Sequence, residues 1–92
     1  MTEKQQQIFP FFSDPGHGWI RVKKTLLKEL GVANRITRYS YQKGEYAYLE
    51  EDCDASIFCS AWEKINGQKI KFEGHTCNGR SAIRMYETYC NT

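Results

Sequence analysis

Residues 39–67, YSYQKGEYAYLEEDCDASIFCSAWEKING, hold the stretch whose reading decides the fold. Tyr39, Tyr41, Tyr46 and Tyr48 alternate with polar or small residues on either side of Lys43 and Gly44, the period of two that marks a half-buried strand. Residues 36–42 and 45–50 therefore read as a hairpin with Lys43 and Gly44 as its two-residue turn, because glycine tolerates the positive φ that such turns require. That register sets Tyr41 opposite Tyr46 and Tyr39 opposite Tyr48. Direct cross-strand partners point to one face, so the four tyrosines are expected together, packed under a helix as core. The period then changes. Phe58, Ala61, Trp62 and Ile65 fall at i, i+3, i+4 and i+7, one apolar stripe of a helix that Asn66 and Gly67 stop. Glu50, Glu51, Asp52 and Asp54 precede it, and Asp52 or Asp54 is placed to accept from the free N–H groups at the helix start.

Working outward, residues 19–23 alternate, with Ile20 and Val22 on one face and Trp19, Arg21 and Lys23 on the other, as a strand does. Residues 24–30 place Leu26, Leu27 and Leu30 at helical spacing before Gly31, giving a short helix. On the far side, residues 69–73 put Ile70 and Phe72 inward and Lys69, Lys71 and Glu73 outward. Residues 81–89 can do the same with Ile83 and Met85 inward and Arg84 and Tyr86 outward, after a polar loop at 74–80. At the other end a polar tail at 2–7 leads into Ile8, Phe9, Pro10, Phe11 and Phe12. This reads as an arm docked on the core, since Pro10 cannot donate within a central strand. Residues 13–18 read as a tight turn, with Gly16 and Gly18 allowing positive φ on either side of His17. The element order is β-α-β-β-α-β-β. Two helices are too few to cover both faces of such a sheet, so the class is α+β: a mainly antiparallel sheet of about five short strands with two helices on one face.

With 92 residues the chain is one domain, residues 1–16 being arm and turn and 17–92 the globular core. A chain this short buries about 65% of its extended surface, and a deep pocket is costly in so thin a core. Binding by the outer surface is favoured over catalysis. Hydrophobic residues at 40% and charged residues at 26% exclude disordered and membrane classes. No apolar run approaches the ~18 residues that span a bilayer, and the start is too polar for a signal peptide, so a cytosolic monomer is expected. Net charge is only +2, but with four acids gathered at 50–54 the rest of the surface is basic.

Chemical motifs are sparse. Cys53, Cys59, Cys77 and Cys90 contain no C-x-x-C pair, and Cys53, Cys59, His75 and Cys77 do not have the usual spacing of a tetrahedral zinc site. Four reduced thiols and no metal or cofactor are expected. His17 reads as a turn residue rather than a general base, and there is no nucleotide-binding glycine motif. The carboxylates at 50–54 could serve a metal-dependent nuclease, but helix capping accounts for Asp52 and Asp54 without a metal. The strand pattern puts Arg21, Lys23, Lys69, Lys71 and Arg84 outward with Trp19 and Tyr86 among them. That makes a cationic, aromatic surface suited to a phosphate backbone or an acidic protein.

The turn and strand Ser13, Asp14, Pro15, Gly16, His17, Gly18, Trp19, the segment Tyr39, Ser40, Tyr41, Gln42, Lys43, Gly44, and above all Tyr48, Leu49, Glu50, Glu51, Asp52, Cys53, Asp54 carry a resemblance that extends over nearly all of the chain. The sequence resembles small phage-encoded anti-CRISPR proteins directed against the type I-F surveillance complex. The resemblance implies a non-enzymatic inhibitor, active in the host bacterial cytoplasm, that binds Cas protein subunits, with the crRNA as a further contact, and keeps target DNA from hybridising. Anti-CRISPR proteins share no signature motif, so it assigns no residue a role. A small phage regulator that binds nucleic acid directly is the alternative.

Overall fold

A computed structural model describes residues 8–79 and 81–91; the polar tail expected at 2–7 and Arg80 at the end of the polar loop lie outside the described residues. Six strands form one sheet: β1 (Ile8–Ser13), β2 (Gly18–Lys23), β3 (Tyr41–Lys43), β4 (Tyr46–Glu50), β5 (Lys71–Thr76) and β6 (Glu87–Thr88), in the order β5-β1-β2-β4-β3-β6. Every neighbouring pair is antiparallel except β1 with β5. Helices α1 (Lys24–Glu29) and α2 (Ala55–Asn66) complete the α+β fold. No helix among the described residues is long and apolar enough to cross a membrane.

Alternation decides which face is core. Phe9, Ile20, Val22, Ala47 and Leu49 take one face and pack with Leu27 of α1 and Phe58 and Trp62 of α2. Both helices therefore cover the same side. Leu27, Leu49 and Phe58 have no exposed surface, and Phe9 meets the rings of Phe58 and Trp62 edge-on at 5.2 and 5.9 Å. The α2 stripe is shorter than its spacing suggests, because Ile65 is 66% exposed. Gly67 ends α2 in the left-handed region (φ 68°), its N–H donating to the Glu63 carbonyl at 2.9 Å. Trp62→Ala should cost about 3–5 kcal/mol through transfer and cavity terms, whereas Ile65→Ala should stay within about 0.5 kcal/mol. Paired urea denaturation curves of the two variants check this.

The apolar N-terminal segment is not a docked arm. It is β1, an interior strand between β5 and β2. Pro10 is tolerated because the ladder to β2 covers only Phe11, Phe12 and Ser13, so the proline lies past its end. Alternation, which the proline obscures, places Phe9 in the core and Phe12 on the opposite face. The following turn forms, with the Asp14 N–H donating to the His17 carbonyl at 2.9 Å, but its glycines serve space rather than positive φ. Among the described residues positive φ occurs at Gly31, Gly44 and Gly67. A Cβ on Gly18 would stand 2.5 Å from both Phe11 Cζ and Glu51 Oε1, and one on Gly16 2.8 Å from Arg84 Nη2.

The hairpin also differs by one position. Lys43 pairs with Tyr46, leaving Gly44 and Glu45 as the turn, and Tyr41 pairs with Tyr48. Gly44 at φ 61° takes the first turn position, which moves the register. Residues 36–40 are not strand: Tyr39 is 72% exposed, and Ser40 is buried. Tyr41, Tyr46 and Tyr48 share a face as their spacing suggests, but it is the face away from the helices, because Ala47 and Leu49 occupy the helix side. The expectation of tyrosines under a helix is corrected accordingly.

Two further corrections concern the C-terminal third. Strand β5 begins at Lys71 and continues to Thr76, so Lys69 precedes it and His75 belongs to the strand rather than to the loop. Residues 82–85 are a 3-10 turn, with the Ser81 hydroxyl accepting from the Ile83 N–H at 3.2 Å, and only Glu87 and Thr88 pair with β3. Ile83 is buried as expected, but Met85 is 80% exposed. The 3-10 turn lays Ile83 across Trp19 and Tyr48 as a second, smaller cluster on the side opposite the helices.

Candidate functional site

The face of the sheet turned away from the helices carries most of the candidate residues, in two zones. In the open zone Arg21 sits over the rings of Tyr46 (4.8 Å) and Phe12 (5.6 Å), and Lys43 over Tyr86 (4.8 Å). Cations on rings at these distances are held electrostatically; Lys43 is exposed, while Arg21 is half-buried with its Nε lacking a hydrogen-bond partner. Lys23 and Lys71 are exposed on the same face at the ends of β2 and β5. Beyond Phe11 and Ile20 the ladder between β1 and β2 ends, opening a groove of about 520 Å³ bordered by Ile8, Pro10, Arg21, Lys23 and Tyr46.

In the closed zone the expected surface residues are not surface. Trp19 is 1% exposed, beneath Ile83 and beside Tyr41 (6.3 Å between rings). Tyr86 is half-buried on Tyr48 at 5.0 Å. Arg84 does not point outward: its Nε and Nη2 donate to Asp14 Oδ2 and Oδ1 at 2.7 and 2.8 Å, and its guanidinium lies 5.8 Å from the Trp19 ring. The strand pattern assumed for 81–89 fails here because the 3-10 turn rotates successive side chains by a third of a turn rather than a half. Arg21, Lys23 and Lys71 thus share the open face. Trp19, Arg84 and Tyr86 form the layer beside it, and Lys69 is exposed outside the strand.

Asp14 is the anchor of that layer. Its side chain has no exposed surface, and besides Arg84 it accepts from the N–H groups of Gly16, His17 and Ser81 at 3.0, 3.0 and 2.9 Å. The Arg84 guanidinium holds the Asp14 carboxyl well below the usual carboxylate range; burial opposes this, and the three amides reinforce it. A carboxyl whose folded value is depressed contributes stability that is full above its unfolded value of about 3.9 and is lost as pH falls below it toward the folded value. The melting temperature of the parent should therefore drop on acidification below about pH 4, and Asp14→Asn should be less stable at neutral pH with a flatter acid limb, read from thermal melts across pH 2–7.

Beside this pair three sequence-distant segments meet. His17 from the turn, Trp19 from β2, Tyr39 and Tyr41 from the start of the hairpin, and Glu50, Asp52 and Cys53 from the acidic segment line one hollow of about 270 Å³ together with Arg84. Glu50 is buried; its Oε2 is 3.0 Å from His17 Nδ1 and its Oε1 accepts from the Asp52 N–H at 2.8 Å. Behind it the Ser40 hydroxyl accepts from the Glu50 N–H (3.0 Å) and donates to Asp54. Asp54 stands at the start of α2 as expected, yet its side chain does not cap the helix. It is fully buried and instead accepts from the Thr37 N–H (3.1 Å), the Thr37 hydroxyl (2.8 Å) and Ser40. The acidic segment therefore fastens residues 37–40 to the helix start. Local desolvation and then the Glu50 carboxylate raise the thiol of the exposed Cys53, and burial pushes Cys59 up to about 11, which disfavours the thiolate at both.

All four cysteines are unpaired, and among the described residues no group of three or more His, Cys, Asp or Glu side chains is placed to hold a metal ion. Sequence patterning could not reveal the hollow, because its residues lie in four segments that only the fold brings together. Comparison with known protein families, curated proteins and solved structures returns no match.

Proposed function

We propose that the protein is a non-enzymatic anti-CRISPR inhibitor that binds Cas subunits of the type I-F surveillance complex, with the crRNA as a further contact, in the host bacterial cytoplasm, and keeps target DNA from hybridising. The observation that carries this reading is the open, helix-free sheet face, where Arg21 and Lys43 lie on aromatic rings between exposed Lys23 and Lys71. Such a face can occupy a path built for nucleic acid or meet the acidic margin of a protein subunit, the rings supplying contact area and the cations orientation. The choice of partner rests on the sequence resemblance. The hollow suits recognition, since its Glu50 carboxylate is held in place by His17 and a backbone amide. The test is capture of the surveillance complex from cells that express it, followed by a target-DNA binding assay on the captured material. The second reading, a regulator that binds nucleic acid directly, is favoured by the same cations on rings. Salt-dependent binding of the isolated protein to naked DNA or RNA at the affinity of complex capture would select it.

A further inference from the structure

We propose that the hollow between the turn, the hairpin and the acidic segment receives one unstacked guanine base, which identifies the crRNA contact of the proposed function and rests on that reading. The exposed ring is Tyr39, at 72%, with the half-buried Tyr41 also lining the hollow; Trp19 lines it too but is only 1% exposed. An unstacked base exposes two π-faces and is recognised by such rings together with side chains on its edges. Glu50 supplies an acceptor-only edge. Each of its oxygens already takes one partner, His17 Nδ1 or the Asp52 N–H, which fixes the carboxylate and leaves a second lone pair on each. Guanine alone among the four bases offers two adjacent donors, the ring N1–H and the exocyclic amino group, to match a carboxylate. Its O6 and N7 then need donors, the pairing that arginine commonly makes. Arg84 is such a donor: two of its N–H groups are fixed on Asp14, the remaining ones are uncommitted to that pair, and the side chain is 23% exposed at the hollow.

A basic side chain from a protein partner is the competing occupant. It would satisfy Glu50 and Asp52, but it would face the Arg84 guanidinium and leave the donor side of the wall unmatched. The Trp19 indole N–H is buried without a hydrogen-bond partner. Guanine, with adjacent donors at N1 and the amino group and adjacent acceptors at O6 and N7, fits both sides. Tyr39 also lines a second hollow with Thr37, Arg38 and Thr88, which sets an exposed cation one residue from the stacking ring as a partner for the phosphate of the same nucleotide.

The test follows the indole N–H of Trp19 and the ring signals of the hollow by NMR while GMP, AMP, CMP and UMP are added separately at constant ionic strength, with N-methylguanidinium as the mimic of an arginine side chain. GMP should produce saturable shifts at a Kd at least about tenfold below that of each other nucleotide, the discrimination one bidentate pair gives. Tyr39→Ala, which removes an exposed ring and leaves the core alone, should weaken GMP several-fold, and Glu50→Gln should level the four nucleotides. Equal responses to all four, no saturable shift with any, or a stronger response to N-methylguanidinium overturns the proposal. If GMP fails while the parent still captures the surveillance complex, the base pocket is wrong and the proposed function stands; if GMP binds but no complex is captured, the reverse holds.

Discussion

Asp54→Ala is expected to destabilise the protein by about 2–4 kcal/mol, a large share of the stability of a small domain. The carboxylate is fully buried and gathers three donors, the Thr37 N–H, the Thr37 hydroxyl and the Ser40 hydroxyl, from a segment that has no ladder of its own. Truncation leaves the buried Ser40 hydroxyl without its acceptor, at about 1–3 kcal/mol, and removes the charged acceptor from the exposed Thr37, whose donors turn to water. The loss spreads, because Ser40 also holds the Glu50 N–H, and its carbonyl accepts from Tyr89, whose side chain belongs to the core. Asp54→Asn keeps one acceptor and should recover part of the loss. Urea denaturation of the three proteins decides the matter: an Asp54→Ala curve superimposable on the parent would show that residues 37–40 are held by something other than this carboxylate.

The largest functional loss is expected from reversing charge on the open sheet face. Lys23→Glu, Lys43→Glu and Lys71→Glu combined should abolish capture of the surveillance complex while leaving the melting temperature near that of the parent, because all three residues are exposed. Single changes should weaken capture only partly, since exposed charges act chiefly on association rate and salt dependence. The same loss should appear in the parent as salt is raised, the Debye length shortening from ~10 Å at 0.1 M to ~3 Å at 1 M. Arg84 is unsuitable for this test even though its sequence position suggests an outward side chain, because its reversal would strand the buried Asp14 carboxylate. Capture at parental strength by the triple variant, measured by surface plasmon resonance, would move the contact elsewhere.

Elements whose identity depends on local periodicity were legible in the sequence. The stripe on α2, the alternation of β2 and the stop at Gly67 each follow from residues within one or two turns of one another, and the α+β class with both helices on one face follows from their order. What was hidden depends on pairing between distant segments. Pro10 disguised β1, because a proline argues against a central strand unless the neighbouring ladder ends beside it, and only the β2 register shows that it does. The four tyrosines gave the right grouping for three of them and the wrong face, since the choice was made by Ala47 and Leu49 packing under the helices. At 81–89 an alternating pattern matched both a strand and a 3-10 turn, and the buried pull of Asp14 on Arg84 and on the Ser81 N–H selected the turn. The same interaction removed Arg84 from the cationic face on which Arg21, Lys23 and Lys71 remain. Asp54 illustrates the limit most clearly: a residue that reads as a helix cap in sequence serves a different segment, seventeen positions earlier, once the chain is folded.

The central claim, that this surface engages the surveillance complex and closes it to target DNA, is tested most directly by incubating purified type I-F complex with the protein and then with labelled target duplex. The account predicts stoichiometric association with the complex and loss of target binding in proportion to occupancy, with no cleavage of nucleic acid in the presence of Mg²⁺. A complex that still binds its target at full strength under saturating protein, or magnesium-dependent turnover of the nucleic acid, would contradict it.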